Sequence, residues 1–163
     1  MAATSQPLFR ILYACRMAPA CEDDVDGVLA DILAVAVPMN RALGVTAMLL
    51  AHKGWFIGGV EGPDAAVREV VDMIRADDRH QGLHLIGEGA AAERLFPGWS
   101  LCARILSDDD AAVLTRARAS APFDAAATPK RTVLRLFAIV AKAHSARFTA
   151  QQRLTIRREA LRQ

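Results

Sequence analysis

Four polar side chains, at three separate places in this sequence, are candidates for contact with a ligand. Tyr13 is the only tyrosine of the chain, and its default role is a core aromatic whose hydroxyl bonds to a neighbour. Asn40 closely follows Pro38, which by itself is typical of the end of a helix. Arg79 and His80 follow an acidic pair, where a solvated turn is the usual outcome but where a cation could also contact a phosphate or a ring edge.

Two adjacent glycines interrupt an otherwise apolar segment. Gly58 and Gly59 lie in the run Trp55–Val60, where each costs about 0.5–1 kcal/mol of stability relative to alanine. Two interpretations are open. Either a ligand or another backbone approaches the strand closely at this point, or the strand bulges there or simply tolerates the glycines.

The sequence lacks the known signatures of metal sites, nucleotide hydrolysis and ester hydrolysis. Its four histidines and three cysteines do not combine with one another or with carboxylates at metal-ligand spacing. It contains no GxGxxG, P-loop or GxSxG motif. Dinucleotide redox, nucleotide hydrolysis and ester hydrolysis therefore have no support in the sequence, and we expect no metal.

Length and composition favour one globular domain with an appendage. The chain has 163 residues, of which 53% are hydrophobic and 23% charged, so it can bury enough apolar surface to fold. Three scattered cysteines favour reduced thiols, and no segment resembles a signal peptide or a membrane span. We expect a cytoplasmic protein that does not associate with membranes.

Hydrophobic patterns predict seven elements that would position these residues. The predicted order is strand, helix, two strands, helix, two strands, which favours an α+β, ferredoxin-like βαββαββ sheet with both helices on one face. Pro38 is expected to end the first helix, and the second is expected to begin at Pro63. The strands are predicted over Leu8–Tyr13, Gly44–Ala51, Trp55–Val60, Leu83–Glu88 and Trp99–Ile105, and the helices over Val25–Val37 and up to about Ala76.

The last 35 residues of the chain differ in charge from the rest. Residues 1–128 hold 11 basic and 17 acidic residues, whereas residues 129–163 hold nine basic residues and one acidic residue, Glu159. Such a tail suggests contact with nucleic acid or with an acidic membrane. We favour packing of this segment on the free sheet face, because a predicted helix over Thr132–His144 carries an apolar stripe of Val133, Leu136, Phe137 and Val140. A short helix from Ser107 to about Arg116, a linker over Ala119–Pro129 and a basic segment over Thr149–Arg162 complete the prediction.

Five segments, in order and at matching spacing between about residues 8 and 105, resemble the BLUF family of flavin-based blue-light sensors. They are Leu8–Tyr13 with Cys15-Arg16; Asn40 with Val45-Thr46-Ala47 and Leu49-Leu50; Gly54-Trp55-Phe56 with Val60-Glu61-Gly62-Pro63; Asp77-Asp78-Arg79-His80; and Phe96 with Gly98-Trp99-Ser100. The resemblance implies a flavin-binding domain over residues 1–107 and a helical extension over residues 108–163. It also implies an FAD ring held between the two helices, C-terminal helices on the opposite sheet face, homo-oligomers and signalling to a downstream protein.

The resemblance also implies roles for individual residues. Tyr13 matches the family's electron-donating tyrosine, and Asn40 matches the asparagine that hydrogen-bonds the flavin ring. Arg79 and His80 match a pair near the ribityl and phosphate groups, Trp99 matches a tryptophan that many members carry on the fifth strand, and Leu101 stands where many carry a methionine.

At one position the chain departs from the family pattern. The family has a glutamine three residues before the Glu-Gly pair, and its amide bridges the tyrosine hydroxyl and the flavin; here that position is Gly58. A glycine has no side chain to donate or accept a hydrogen bond. From the resemblance we expect a flavin-binding blue-light sensor and signalling protein, not an enzyme, and from Gly58 we expect it to lack the family's red-shifted light state. The alternative is a flavin-free interaction or dimerisation module of the same fold.

Overall fold

The computed structural model describes residues 6–115 and 123–144. Within them, five strands form one sheet in the order β4-β1-β3-β2-β5, in which all neighbours are antiparallel except β2 and β5. The strands are β1 (Leu8–Met17), β2 (Thr46–His52), β3 (Trp55–Pro63), β4 (His80–Ala91) and β5 (Cys102–Ile105). The helices are α1 (Val25–Leu43), α2 (Asp64–Arg75), α3 (Asp108–Thr115) and α4 (residues 130–144).

The element order confirms the predicted ferredoxin-like layout. Helix α1 connects β1 to the parallel strand β2, and α2 connects β3 to the parallel strand β4, each crossing over the strand that lies between them. The first four strands therefore have the order expected of two interleaved βαβ units. The fifth strand extends the sheet beside β2.

The sheet separates two hydrophobic cores. Side chains alternate across a strand, so neighbouring residues of β1, β2 and β3 contribute to opposite cores. The α1/α2 face carries Ile11, Tyr13, Cys15, Ala47, Leu49, Phe56 and Val60 against Leu29 of α1 and Val67, Val70 and Val71 of α2. The α4 face carries Leu12, Ala14, Met48, Leu50 and Ile57 against Val133, Leu136, Phe137 and Val140.

The C-terminal helices pack where the resemblance and the apolar stripe predict them. Val133, Leu136, Phe137 and Val140 are fully buried in the α4 face. The side chain of Ser107 accepts a hydrogen bond from the backbone N–H of Asp110 at 3.2 Å, which caps α3 at its predicted start. The basic segment Thr149–Arg162 and the first part of the predicted linker lie outside the described residues.

Helix α1 does not end at Pro38, so the predicted boundary is wrong. The helix continues through Pro38 to Leu43 and stops at Gly44, whose φ of 69° is the left-handed conformation of a C-terminal cap. The proline removes one N–H donor, but Met39 and Leu43 still pack against the α1/α2 core beyond it. Tertiary packing thus outweighs the local cost, and Asn40 lies inside the last turns of the helix.

All five strands differ from the prediction at one end or both: β1 continues to Met17, β2 runs from Thr46 to His52, and β3 continues to Pro63. Strand β4 begins at His80 and ends at Ala91, so it is longer than predicted at both ends. Its pairing with β1 continues through glycines, although glycine is a poor strand former. Strand β5 begins only at Cys102, three residues later than predicted. Before it, Gly98 adopts a φ of 82° and Trp99 donates to the carbonyl of Phe96 at 3.2 Å, so a turn occupies the place of the expected strand start.

Candidate functional site

A cleft opens between α1 and α2 on the α1/α2 face of the sheet. Its volume is about 200 Å³, many times the space that one buried water needs. Most of its wall is apolar, and Val35 and Met73, which are 65% and 39% exposed, stand among the wall residues. Tyr13, Asn40, Arg79 and His80 all line it, so four of the residues singled out from the sequence meet in one place.

Asn40 places an unpaired acceptor atom in this cleft. Its side chain is only 2% exposed, and its Nδ2 donates to the carbonyl of Ser100 at 2.7 Å. That bond fixes the orientation of the amide, because only the nitrogen can donate. Its Oδ1 is buried without a hydrogen-bond partner, a state that costs about 1–3 kcal/mol unless a ligand or water supplies a donor.

His80 leaves a second buried acceptor at the cleft. Its Nε2 lies within hydrogen-bond distance of the carbonyl of Ile74. A carbonyl can only accept, so in the neutral ring Nε2 carries the proton and Nδ1 is an acceptor. Nδ1 is buried and has no partner. Beside it, the Arg79 side chain donates to the Asp77 carboxylate at 3.2 Å, and the Arg79 backbone N–H donates to the same carboxylate at 2.9 Å.

The ring of Tyr13 occupies the space above Gly58. A Cβ atom added at Gly58 would overlap Cζ, Oη and Cε1 of Tyr13, so the ring lies directly on the bare backbone of β3. The two residues are paired in a regular antiparallel register, and Gly58 is also in register with Leu49 of β2. The bulge interpretation of this glycine is therefore wrong. The tyrosine of the chain itself makes the close approach.

Burial controls the protonation of the two titratable groups on β1. Tyr13 is 4% exposed, and burial raises its pKa far above the usual range, with the neighbouring Cys15 and Asp77 adding to the effect. Burial, followed by the charge of Asp77, raises the pKa of the Cys15 thiol to about 12. Both side chains are therefore neutral at physiological pH, and the phenol keeps its hydrogen as a donor.

Trp99 is separated from the other predicted site residues. It does not line the cleft, and its ring contacts the His144 ring edge-to-face with centroids 4.8 Å apart. It lies in a shallower depression that also includes Leu33 and Val37 of α1. Leu101, at the position where many family members have a methionine, lines both this depression and the cleft.

Sequence reasoning missed a polar network at the end of the sheet. Glu61 is fully buried and accepts five hydrogen bonds, from two nitrogens of Arg10, from the Thr46 hydroxyl and from the backbone N–H groups of Leu95 and Phe96. The partners are up to 51 residues away along the chain, and no local pattern reveals them. The Glu-Gly pair was noted only as part of the family pattern.

Nothing in the described residues suggests a metal site or a membrane span. No group of three or more histidine, cysteine, aspartate or glutamate side chains in residues 6–115 and 123–144 is arranged to hold a metal ion. Among the same residues, no helix combines the length and the apolar character needed to cross a membrane.

Comparison with known proteins identifies relatives of both the sequence and the fold. A family model described as BLUF, sensors of blue-light using FAD, matches residues 8–102. Photoactivated adenylate cyclase subunit alpha of Euglena gracilis is 30% identical over 73 residues, which are 45% of this chain and 7% of that protein. Subunit beta of the Euglena longa cyclase is 29% identical over 73 residues, or 8% of its length. The chain thus matches only a small part of these curated relatives.

Two solved structures resemble this one over most of its length. BlrB, a BLUF protein in its dark state, has a TM-score of 0.62 and 28% identity, and the match covers 83% of this chain and 98% of BlrB. BlsA in its photo-activated state has a TM-score of 0.71 and covers 80% of this chain and 91% of its own. At 20% identity, the likeness to BlsA concerns the fold alone.

Proposed function

This chain belongs to the BLUF family of flavin-binding blue-light sensors, and on that premise we propose that its α1/α2 cleft holds FAD and that the protein signals through contacts with another protein. The observation that carries the proposal is the buried Oδ1 of Asn40, which lies without a partner in the cleft. A buried acceptor of this kind needs a hydrogen-bond donor, and a ligand that donates an N–H in the cleft would supply one.

The chemistry of the cleft fits a flavin. An isoalloxazine ring is flat, with an apolar dimethylbenzene end and a polar pyrimidine end that carries an N–H donor, and its ribityl chain carries hydroxyl groups. The cleft offers an acceptor at Asn40, a second acceptor at His80 and a mostly apolar wall between helices, as cofactor sites commonly do. Arg79 supplies a cation that could contact a phosphate. When bound, flavin supplies the absorption of blue light that amino-acid side chains do not provide.

FAD rather than FMN is the finer part of the proposal. It rests on the family description, which names FAD, because Arg79 could contact the ribityl phosphate that FAD and FMN share. A comparison of FAD and FMN in the same binding assay tests this choice. FAD is expected to bind more tightly, and equal affinity would limit the site to the flavin ring, the ribityl chain and the phosphate that both compounds share.

We infer that Gly58 removes the family's amide switch from this site. No other side chain takes its place above the strand, because the Tyr13 ring already covers that position. Blue light is therefore expected to excite bound flavin without a reversible red-shifted state. In a Gly58→Gln variant the new side chain must move the Tyr13 ring toward the cleft, and a light-driven red shift that appears only in this variant would support the inference.

The proposed signalling role needs a partner outside the described residues. The matched relatives join a region like this one to much longer chains named as adenylate cyclases. The matched family is one of sensors, and we propose that this chain acts as a sensor on a separate effector protein and as a homo-oligomer rather than as an enzyme. Size measurement in solution, with and without FAD, tests the oligomer directly.

Binding of FAD is tested by the quenching of flavin fluorescence on addition of the purified protein. A saturable decrease is expected. Substituting Val35, an exposed wall residue of the cleft, by glutamate is expected to weaken binding about tenfold, because the charge would have to be buried against the flavin. The matched control is Ile139→Glu, an exposed apolar residue on α4 that is not among the cleft residues, and its affinity should equal that of the wild type.

Failure of the wild type to bind added FAD would reject the flavin site. The same result would favour the alternative of a flavin-free module that uses the fold for interaction or dimerisation. Binding of the wild type with equal loss in both glutamate variants would instead place the flavin somewhere other than the α1/α2 cleft.

A further inference from the structure

The buried Glu61 carboxylate ties the loop between β4 and β5 to the end of the sheet. Its two oxygens accept the backbone N–H groups of Leu95 at 2.9 Å and Phe96 at 2.7 Å, and the Arg10 guanidinium holds the same carboxylate at 3.0 Å. Arg94 adds bonds from this loop to the Thr46 hydroxyl at 2.8 Å and to the carbonyl of Gly44 at 2.9 Å. The loop is therefore held through its own backbone, not only through side chains.

The loop between β4 and β5 continues directly into Ser100, the residue whose carbonyl orients the Asn40 amide. The carbonyl of Phe96 accepts from the Trp99 N–H at 3.2 Å, and the carbonyl of Trp99 accepts from the Ala47 N–H at 3.2 Å. Ser100 follows, and its carbonyl accepts the Asn40 Nδ2 at 2.7 Å. Only the turn from Phe96 to Trp99 thus separates the backbone that Glu61 holds from the Ser100 carbonyl that holds the Asn40 amide.

The orientation of that amide decides which ligands the cleft prefers. With Nδ2 bonded to Ser100, the Asn40 side chain offers the cleft only its Oδ1 acceptor. A ligand that donates an N–H to Oδ1 gains a bond, and a ligand without that donor leaves Oδ1 buried and unpaired. If the Ser100 carbonyl moved, the amide could rotate and its preference for a donor would disappear.

We propose that Glu61 is a positioning residue for the flavin site: by holding the turn that leads to Ser100, it fixes the Asn40 amide and makes the cleft selective for a ligand that donates an N–H. This inference rests on the proposed flavin binding. Glu61 is not among the residues that line the cleft, so it acts through Asn40.

The test compares the affinity for FAD with that for FAD methylated at N3 of the isoalloxazine ring, both measured by quenching of flavin fluorescence. The methyl group removes the N–H donor of the pyrimidine edge. The wild type is expected to bind FAD at least tenfold more tightly than the methylated compound, because the analogue leaves Oδ1 unpaired. The methyl group also adds bulk, which could weaken binding by itself. The decisive quantity is therefore the change in the affinity ratio between the variants and the wild type.

In Glu61→Gln, the ratio of the two affinities is expected to fall at least threefold. A merely structural role would weaken both flavins equally and leave the ratio unchanged. Arg94→Met loosens the same loop without changing the Glu61 carboxylate, and the ratio of the two affinities should fall in this variant too, by a smaller factor. If Glu61→Gln does not fold, Arg94→Met still tests the inference. Arg68→Met is the control, because the ion pairs of Arg68 are exposed and join Asp64 and Glu88, not Glu61 or the loop between β4 and β5.

The outcomes separate the inference from the function on which it rests. No FAD binding by the wild type would reject the flavin site itself. FAD binding with an unchanged ratio in folded Glu61→Gln and Arg94→Met variants would reject the positioning role and keep the flavin site. A ratio that falls as much in Arg68→Met as in Glu61→Gln would also reject it, because the effect would then reflect general loosening of the protein.

Discussion

The two faces of the sheet use adjacent glycines in opposite ways. On the α4 face, Gly59 makes room for rings that complete a closed core: an added Cβ would lie 2.8 Å from Phe137 and 3.2 Å from Phe96. On the α1/α2 face, Gly58 makes room for the Tyr13 ring, and that ring borders an open cleft. The same residue type thus serves closed packing on one side and borders the cleft of the proposed flavin site on the other. Stability is expected to depend on the first face and ligand binding on the second.

The largest effect should come from opening the closed face. Phe137 is fully buried and contacts Phe96 edge-to-face with ring centroids 5.4 Å apart. We expect Phe137→Ala to lower the free energy of unfolding by about 3–5 kcal/mol, because it leaves a cavity that the helix and sheet cannot fill. Denaturant unfolding followed by circular dichroism measures this. Met73→Ala at the cleft should change the same quantity by about 1 kcal/mol or less, and equal losses would break the comparison.

The next effect distinguishes the two glycines directly. Gly59→Ala should lower the free energy of unfolding by about 1–3 kcal/mol, because the Phe137 and Phe96 rings on that side have no open space to enter. Gly58→Ala should cost less than half as much, since the Tyr13 ring can turn toward the cleft. The reverse order of the two variants in denaturant unfolding would contradict this account of the faces.

A smaller effect should separate binding from stability. Asn40→Ala removes the buried acceptor of the cleft, so affinity for FAD should fall about tenfold, equivalent to about 1.4 kcal/mol. Fluorescence titration measures the affinity. The control is Thr132→Ala, because Thr132 is a half-buried residue of α4 that does not line the cleft. An Asn40→Ala variant with wild-type affinity would remove Asn40 from the binding site.

The smallest effect concerns pH and the α4 side of the molecule. Burial, aided by Lys53 and opposed by Asp108, lowers the pKa of His52 below its usual value. The unfolded chain therefore binds a proton more readily, and the free energy of unfolding should fall as pH drops below about 6.5 toward the lower folded pKa. Unfolding at several pH values should show a weaker fall in His52→Gln. An identical pH dependence in the variant would assign the effect to other groups.

The sequence predicts the sheet and its two layers because hydrophobic period and turn residues are local signals. Trp55–Val60 and the stripe at Val133 both have the predicted placement. The errors occur where distant packing decides. Helix α1 passes Pro38 because residues beyond it have a core to join, and β5 starts late because Gly98 and Trp99 form a turn.

The candidate site is predictable from the sequence only in part. The family pattern identifies Tyr13, Asn40, Arg79 and His80 as site residues, although no local rule links these positions. All four line the cleft. The placement of the Tyr13 ring above Gly58 and the bonds of Glu61 depend on strand pairing across about 50 residues, which sequence spacing does not reveal. The assignment of Trp99 to the cofactor stays a prediction, and its position beside His144 does not support direct contact with the cleft.

The most direct test of the central claim is the visible absorption spectrum of the protein after incubation with FAD and removal of free flavin, recorded in the dark and under blue light. The account predicts a structured band of bound oxidised flavin that shows no reversible red shift on illumination. A reversible red shift in the wild type would contradict the inference that Gly58 removes the switch. The absence of a flavin band would contradict the binding site itself.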